Sequence, residues 1–251
     1  VSSPELSGPS FGPVAAHYDE LMRAVPYDMW AGYYRLLLAQ GGHDPDTLLD
    51  VCCGTGSVAE LMADAGYEVT GIDLSPDMIA VAQAKEVFEP RGVAYHVADA
   101  TTFDLGRSFD GAYSFFDSLN YITTLNGLRA ALCRVAAHLR PGGTFVFDLN
   151  TEYAFTADLF TQEDKRKRSK LHYEWKGHYD KATRLIHVDM RFWRDGEEFR
   201  EVHVQRAHSM EEIVEGLRDA GFAHLRTYDS YTLDEPNAKS DRIHLVAVLG
   251  A

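Results

Sequence analysis

Residues Asp50-Val51-Cys52-Cys53-Gly54-Thr55-Gly56 constrain the fold more than any other stretch of the chain. An apolar run, Thr47 to Val51, breaks there into a turn. Gly54 and Gly56 carry no Cβ, so the backbone can bend sharply and turn amide N–H groups toward a nucleotide-like ligand. The next segment has helical spacing: Val58, Leu61, Met62 and Ala65 fall at i, i+3, i+4 and i+7, and Gly66 stands where a C-terminal glycine ends a helix. The local order is strand, glycine turn, helix.

The following strand, Tyr67 to Ile72, ends at Asp73, about 20 residues past the glycines, where a carboxylate can take two ribose hydroxyls. Ser75-Pro76 then opens a helix as N-cap and first helical residue. So far Gly54-x-Gly56-x-x-Ala59 also reads as a dinucleotide fingerprint, because NAD and S-adenosylmethionine (SAM) both carry an adenosine ribose. The third and fifth strands separate the two. Val93 to Val97 runs into Ala98-Asp99-Ala100, a second strand-end carboxylate suited to the adenine amino group, which an NAD site does not require. His138-Leu139-Arg140-Pro141-Gly142-Gly143 is a turn that feeds a buried strand, Thr144 to Asp148.

These four motifs in this order resemble those of the class I SAM-dependent methyltransferases, over roughly residues 45 to 150 with weaker echoes at both ends. The resemblance implies a Rossmann-like α/β sheet of seven strands and SAM as cofactor, released as S-adenosylhomocysteine (SAH). It assigns Asp50, Cys52, Gly54 and Gly56 to the methionine moiety, Asp73 to the ribose and Asp99 to the adenine. Leu74, Met78, Ala100 and Phe116 would complete the cofactor site, with Tyr18 facing the cofactor from an N-terminal lid. Cys52 departs from the pattern, since the family most often has glycine there, so the backbone must use a conformation open to other residues. Cys52 and Cys53 read as small buried residues beside a turn rather than as nucleophiles. With only Cys133 besides, there is neither zinc spacing nor a disulfide framework, and a reducing, cytoplasmic setting follows.

In the N-terminal part, residues 1–44, a loose start precedes a helical segment from His17 and a second helix striped by Met29, Trp30, Tyr33 and Leu37. The aromatics Tyr27, Trp30, Tyr33 and Tyr34 either dock these helices on the core or form the lid. A fourth strand, Phe109 to Phe116, runs into Asp117-Ser118-Leu119-Asn120-Tyr121. That loop lies where ligands bind in an open α/β sheet, so Asp117, Asn120 and Tyr121 are expected to face the methyl acceptor. Tyr18, Asn120 and Tyr121 are the candidate catalytic residues.

Past Asn150 the pattern changes to three β-like stretches, 171–179, 184–193 and 199–207, with Asp195-Gly196 as a hairpin signal. Residues 151–208 therefore read as an antiparallel insertion covering the acceptor, and residues 45–150 with 209–251 as the SAM-binding core. Ser209 and Glu212 form a capping box. Two closing strands, Phe222 to Tyr231 and Asp241 to Leu249, have no helix between them and must pair antiparallel. The basic run from Lys165 to Lys170 reads as a solvated loop. The insertion histidines are expected to divide between two faces, which argues against a metal site and leaves one of them as a substrate-side base or hydrogen-bond partner.

A formal net charge of −14 disfavours nucleic acid and anionic membrane as partners and suits a small or cationic acceptor. No apolar run reaches the ~20 residues of a membrane span, and Val1 to Ser10 lack an apolar signal core. The function expected is methyl transfer to an N, O or C atom of a small molecule. An NAD-dependent oxidoreductase is disfavoured by Asp99 and the closing antiparallel pair, while a non-catalytic SAM-binding module stays open. Oligomeric state does not follow from the sequence.

Overall fold

The computed structural model describes residues 11, 14–40, 42, 45–164, 171–194 and 196–251. The N-terminal start, the basic run from Lys165 and Asp195 of the hairpin signal lie outside the described residues. A single 3-10 turn, Ala15–His17, leads into α1 (Tyr18–Leu21) and then α2 (Tyr27–Ala39). The buried stripe of α2 is Ala31, Tyr34, Leu37 and Leu38. It is rotated from the expected one, for Met29 is 62% exposed. The reason is that Trp30 and Tyr33 are only partly buried, packing against Phe116, Tyr231 and His244 at the margin of that layer.

The core alternates as the sequence pattern requires: β1 (Thr47–Val51), α3 (Ser57–Asp64), β2 (Glu68–Asp73), α4 (Pro76–Phe88), β3 (Ala94–Val97), β4 (Phe109–Ser114), α5 (Leu125–Ala137) and β5 (Leu139–Asn150). Ser75 Oγ accepts from Met78 N at 3.3 Å, so the expected cap starts α4. β5 begins earlier than the turn signal suggested. It pairs with β4 at Phe109–Leu139 and resumes only at Gly111–Thr144, so Arg140 to Gly143 bulge out of the ladder.

Beyond β5 come α6 (Glu152–Thr156) and four strands, β6 (Gln162–Asp164), β7 (Leu171–Asp180), β8 (Leu185–Arg194) and β9 (Glu197–Arg206). They form a separate antiparallel sheet in chain order, one short strand more than expected. The chain then returns through α7 (Met210–Asp219), which carries the Ser209–Glu212 capping box, to β10 (Phe222–Asp229) and β11 (Arg242–Leu249).

The main sheet has seven strands in the order β10-β11-β5-β4-β1-β2-β3. β11 is antiparallel to both its neighbours, and β1 to β5 are parallel. Both faces are covered, which is what a parallel sheet needs. Leu48 points to a layer holding Tyr34, Leu37, Leu38, Val58, Met62 and Ile79. Its neighbour Leu49 points to the opposite layer, with Leu128, Leu132, Ile213 and Leu217. Burying each aliphatic side chain of this kind stabilises the fold by about 1.5 to 3 kcal/mol. Strand order reverses between β1 and β4, so the crevice outside their carboxyl ends is the place for a ligand. Among the described residues no helix is long and apolar enough to cross a membrane.

Candidate active site

A cavity of about 790 Å³ opens over those strand ends. Its floor is the glycine turn and the two strand-end acids. Cys52, Gly54, Asp73, Leu74, Met78, Asp99, Ala100 and Phe116 all line it. Gly54 has a φ of +56°, and a Cβ built on it meets no protein atom within 4 Å, so bare backbone faces open space. Asp73 bridges the turn to the start of α4: Oδ2 accepts from Gly54 N at 2.9 Å and Oδ1 from Ser75 N at 2.8 Å. Burial raises its pKa, and the backbone N–H donors of Ser75, Gly54 and Leu74 oppose that shift. Asp99 Oδ1 accepts from Thr101 N at 2.8 Å and Thr101 Oγ1 at 2.7 Å, which fixes the carboxylate's direction.

Cys52 sits in the left-handed region, with a φ of +65°. The turn thus keeps the glycine-like backbone without glycine, at a cost on the order of 1 kcal/mol. Burial pushes both neighbouring thiols up, which leaves them protonated and poor nucleophiles.

The N-terminal segment forms one wall. Tyr18, Tyr27 and Trp30 line the cavity, whereas Tyr34 is fully buried beneath them, so the aromatic cluster divides between lining and docking. Asp19 ties α1 to the glycine turn, its Oδ1 accepting from Thr55 Oγ1 at 2.6 Å and its Oδ2 lying 3.2 Å from Lys85 Nζ. Burial raises the Tyr18 phenol well above its ordinary pKa.

Three expected site residues stand behind the wall rather than on it. Asp50 is 3% exposed and does not line the cavity, because it lies within β1, short of the turn that forms the floor. Gly56 is needed for packing instead: with a φ of +81°, a Cβ there would come within 2.3 Å of the Tyr95 hydroxyl oxygen. Asn120 is fully buried, and its amide is used up by backbone. Its Nδ2 donates to Asn150 O at 3.0 Å and Arg206 O at 2.8 Å, while Oδ1 accepts from Asn150 N at 3.0 Å. It joins the end of β5 to the end of β9 and has no group left for an acceptor.

Asp117 and Tyr121 do line the cavity. Phe116 and Asp117 occupy left-handed backbone, at φ +63° and +52°. That turn lets Asp117 N donate to Asp148 Oδ2 at 3.1 Å. The Asp117 carboxylate accepts from Arg242 Nη2 at 2.7 Å and from Gln205 Nε2 at 2.6 Å, and Arg242 also pairs with buried Asp148. Asp117 is therefore held by the protein on both oxygens.

The roof comes from the second sheet and holds residues that sequence reasoning missed, among them Glu201, Gln205 and Trp175; Arg242, missed as well, reaches the cavity from the start of β11. On β9 the polar residues Glu201, His203 and Gln205 face inward and are buried, while Val202 is 39% exposed. Period-two alternation groups those three on one face, but the usual apolar-in assumption assigns them to solvent. The histidines divide as expected, His203 inward and His187 outward. Tyr121 Oη lies 2.8 Å from His203 Nδ1, and His203 Nε2 lies 2.7 Å from Glu201 Oε2.

A family model described as a methyltransferase domain matches residues 48–143. The putative methyltransferase YqeM of Bacillus subtilis (strain 168) is 33% identical over 245 residues, 93% of this chain and 94% of its own length. The chain belongs to the class I SAM-dependent methyltransferases. Similar to this methyltransferase throughout is the crystal structure of a SAM-dependent methyltransferase from Clostridium acetobutylicum ATCC 824. It is 27% identical with a TM-score of 0.84, covering 95% of this chain and 98% of that one. A partial relative is the dTDP-3-amino-3,6-dideoxy-alpha-D-glucopyranose N,N-dimethyltransferase of Streptomyces fradiae, 34% identical over 55% of this chain and 53% of its own. The cofactor of the methyltransferase is SAM, and the NAD-dependent oxidoreductase reading falls.

Proposed function

We propose that this methyltransferase moves the methyl group of SAM to a nitrogen or oxygen atom of a small molecule held between floor and roof. The observation that carries the reading is a difference in chemistry across one cavity. The floor offers strand-end carboxylates and bare backbone. The roof offers buried polar atoms without a protein partner among the described residues, Trp175 Nε1 as a donor and Gln205 Oε1 as an acceptor. Such orphaned groups cost about 1 to 3 kcal/mol each unless a ligand satisfies them.

The floor fits the cofactor group by group. Each Asp73 oxygen uses one lone pair on an N–H and keeps another for a ribose hydroxyl. Asp99 keeps Oδ2 for the adenine amino group, with Leu74, Met78 and Ala100 around the ring. The open face of Gly54 beside Cys52 suits the methionine moiety, and the rings of Tyr18 and Phe116 suit a sulfonium charge. When bound, SAM supplies an already activated methyl group. What the chain contributes is alignment of the acceptor and exclusion of water by the N-terminal wall and the roof.

On this reading residues 1–44 close the site, 45–150 with 209–251 hold the cofactor, and 151–208 choose the acceptor. The partial likeness to an amino-sugar N,N-dimethyltransferase and the net charge of −14 favour an amine. Incubation with methyl-labelled SAM and a panel of amino sugars, other amines and phenols tests this. Label should move to a small molecule, most readily an amine. Label captured only by protein or nucleic acid would overturn the small-molecule reading.

A further inference from the structure

We propose that Tyr121, His203 and Glu201 form a proton relay that receives the proton an acceptor releases as it is methylated. The relay rests on the reading that the acceptor lies under the roof. Glu201 and His203 are two residues apart on β9 and so share its inner face, where they are 6% and 1% exposed. Glu201 Oε1 accepts from Val14 N at 3.0 Å and Oε2 from Phe11 N at 3.2 Å. Two backbone N–H donors aimed at one carboxyl group favour its ionised, acceptor-only form.

Ring direction follows from this. His203 Nε2, 2.7 Å from the same carboxylate, must carry the proton it donates. In the neutral ring Nδ1 is then the acceptor, and Tyr121 Oη, 2.8 Å away, donates to it. Every bond in the series points away from the cavity wall and toward Glu201. The Phe11 ring stands edge-on to the imidazole, centroids 4.5 Å apart, and screens it from solvent.

The charged and titratable groups facing the relay are Glu201 itself and, beside Tyr121, Asp117 and Tyr18. Asp117 is neutralised by Arg242. Burial raises the Tyr121 phenol, with Asp117 and Glu201 adding to the shift, so it does not ionise alone. It releases its hydrogen only while it gains another. As the acceptor N–C or O–C bond forms, the methyl–sulfur bond breaks and its electron pair stays on sulfur. The acceptor proton passes to Tyr121 Oη while the phenolic hydrogen passes to His203 Nδ1. The positive charge that leaves the sulfonium ends on an imidazolium paired with Glu201, and Tyr121 is again a neutral phenol.

Two measurements test the relay. Nitrogen-15 NMR of the SAH-loaded protein at pH 7.5, assigned by the signals lost in His203→Asn, should show Nε2 protonated and Nδ1 bare. A protonated Nδ1 overturns the relay whatever the acceptor is. In the labelled-SAM assay, with any acceptor the panel yields, His203→Asn and Tyr121→Phe should each lower kcat about a hundredfold. The asparagine variant leaves the Glu201 bonds to Phe11 and Val14 in place, so SAH affinity should stay within about threefold. It should also change the acidic limb of the kcat–pH profile. An unchanged kcat and pH profile overturns the relay. If nothing in the panel is methylated, the acceptor reading fails, while the nitrogen protonation pattern still decides the relay.

Discussion

The floor and the roof of the cavity follow opposite rules of burial. β1 buries Leu48, Leu49 and Val51, and the polar groups of the floor stand at strand ends, where the ladder stops and side chains reach a ligand. On the roof β9 buries Glu201, His203 and Gln205 in mid-strand, paired across to Met190, Val188 and Ile186 of β8. A strand-end site can be found from turn signals, because glycines and acids mark it locally. A mid-strand polar stripe looks like the wet side of a sheet until another layer covers it. The period-two pattern says which residues share a face and not which face is inside.

The largest expected effect lies at the junction between the two regions. Asn120→Ala leaves the buried N–H and C=O of Asn150 unpaired, each costing about 1 to 3 kcal/mol, and takes one of two donors from Arg206 O, so stability should fall by about 2 to 5 kcal/mol. For a chain of this size that is roughly 10 °C in melting temperature, readable by calorimetry. A stable variant with lost turnover would return Asn120 to the acceptor site. Next comes the floor. Asp73→Ala removes two charge-assisted bonds to ribose and should lower SAH affinity by about 2 to 4 kcal/mol in titration calorimetry. It should also lower stability, since the carboxylate ties Gly54 to Ser75.

Two buried histidines outside the cavity wall should govern acid sensitivity. Burial holds His244 near a pKa of about 3 and His208 near about 4, both below the ordinary 6.5. An unfolded chain takes up these protons first, so their contribution to stability is complete above pH 6.5 and declines as pH falls toward the folded values. At pH 5 each costs about 2 kcal/mol. His244→Leu, tested by chemical denaturation at pH 7.5 and pH 5, should shrink the difference between the two by that amount. An unaltered difference would locate the acid limit elsewhere.

Smaller effects separate the roof from the floor. Trp175→Phe keeps a ring but loses the unpartnered N–H, and should raise the acceptor KM by roughly fivefold to tenfold, about 1 kcal/mol. SAH affinity should stay within about twofold; a larger loss would place Trp175 in the cofactor site. Cys52→Gly relieves left-handed strain but adds backbone freedom to the unfolded chain, so stability should change by less than about 1 kcal/mol. Abolished SAH binding in that variant would make the thiol part of the site.

Most of the floor was legible in the linear sequence. Asp73 and Asp99 were found because each ends an apolar run and precedes a turn, and Gly54 because a sharp bend needs it. Asp50 and Gly56, read as ligand contacts from the same motif, lie off the cavity wall, Asp50 buried within β1 and Gly56 packed closely on Tyr95. A motif records which residues a turn requires and does not sort those facing the ligand from those holding the backbone. Asn120 misled for a related reason: its loop is at the right sheet edge, but only the docked second sheet shows that Asn150 and Arg206 claim its amide.

By itself the sequence determined the parallel sheet, the glycine turn, its two acids, the closing antiparallel pair and an antiparallel insertion after β5. All of these rest on hydrophobic period, caps and turn chemistry, which act over a few residues. Tertiary structure alone decided that Tyr121, His203 and Glu201 meet, that Asp117 is clamped by Arg242 and Gln205, and that the polar face of β9 turns inward. The contacts of Tyr121 with His203 and of Asp117 with Gln205 and Arg242 join residues 82 to 125 positions apart. No local propensity specifies such pairs, because their partners come together only when the second sheet closes over the strand ends of the first.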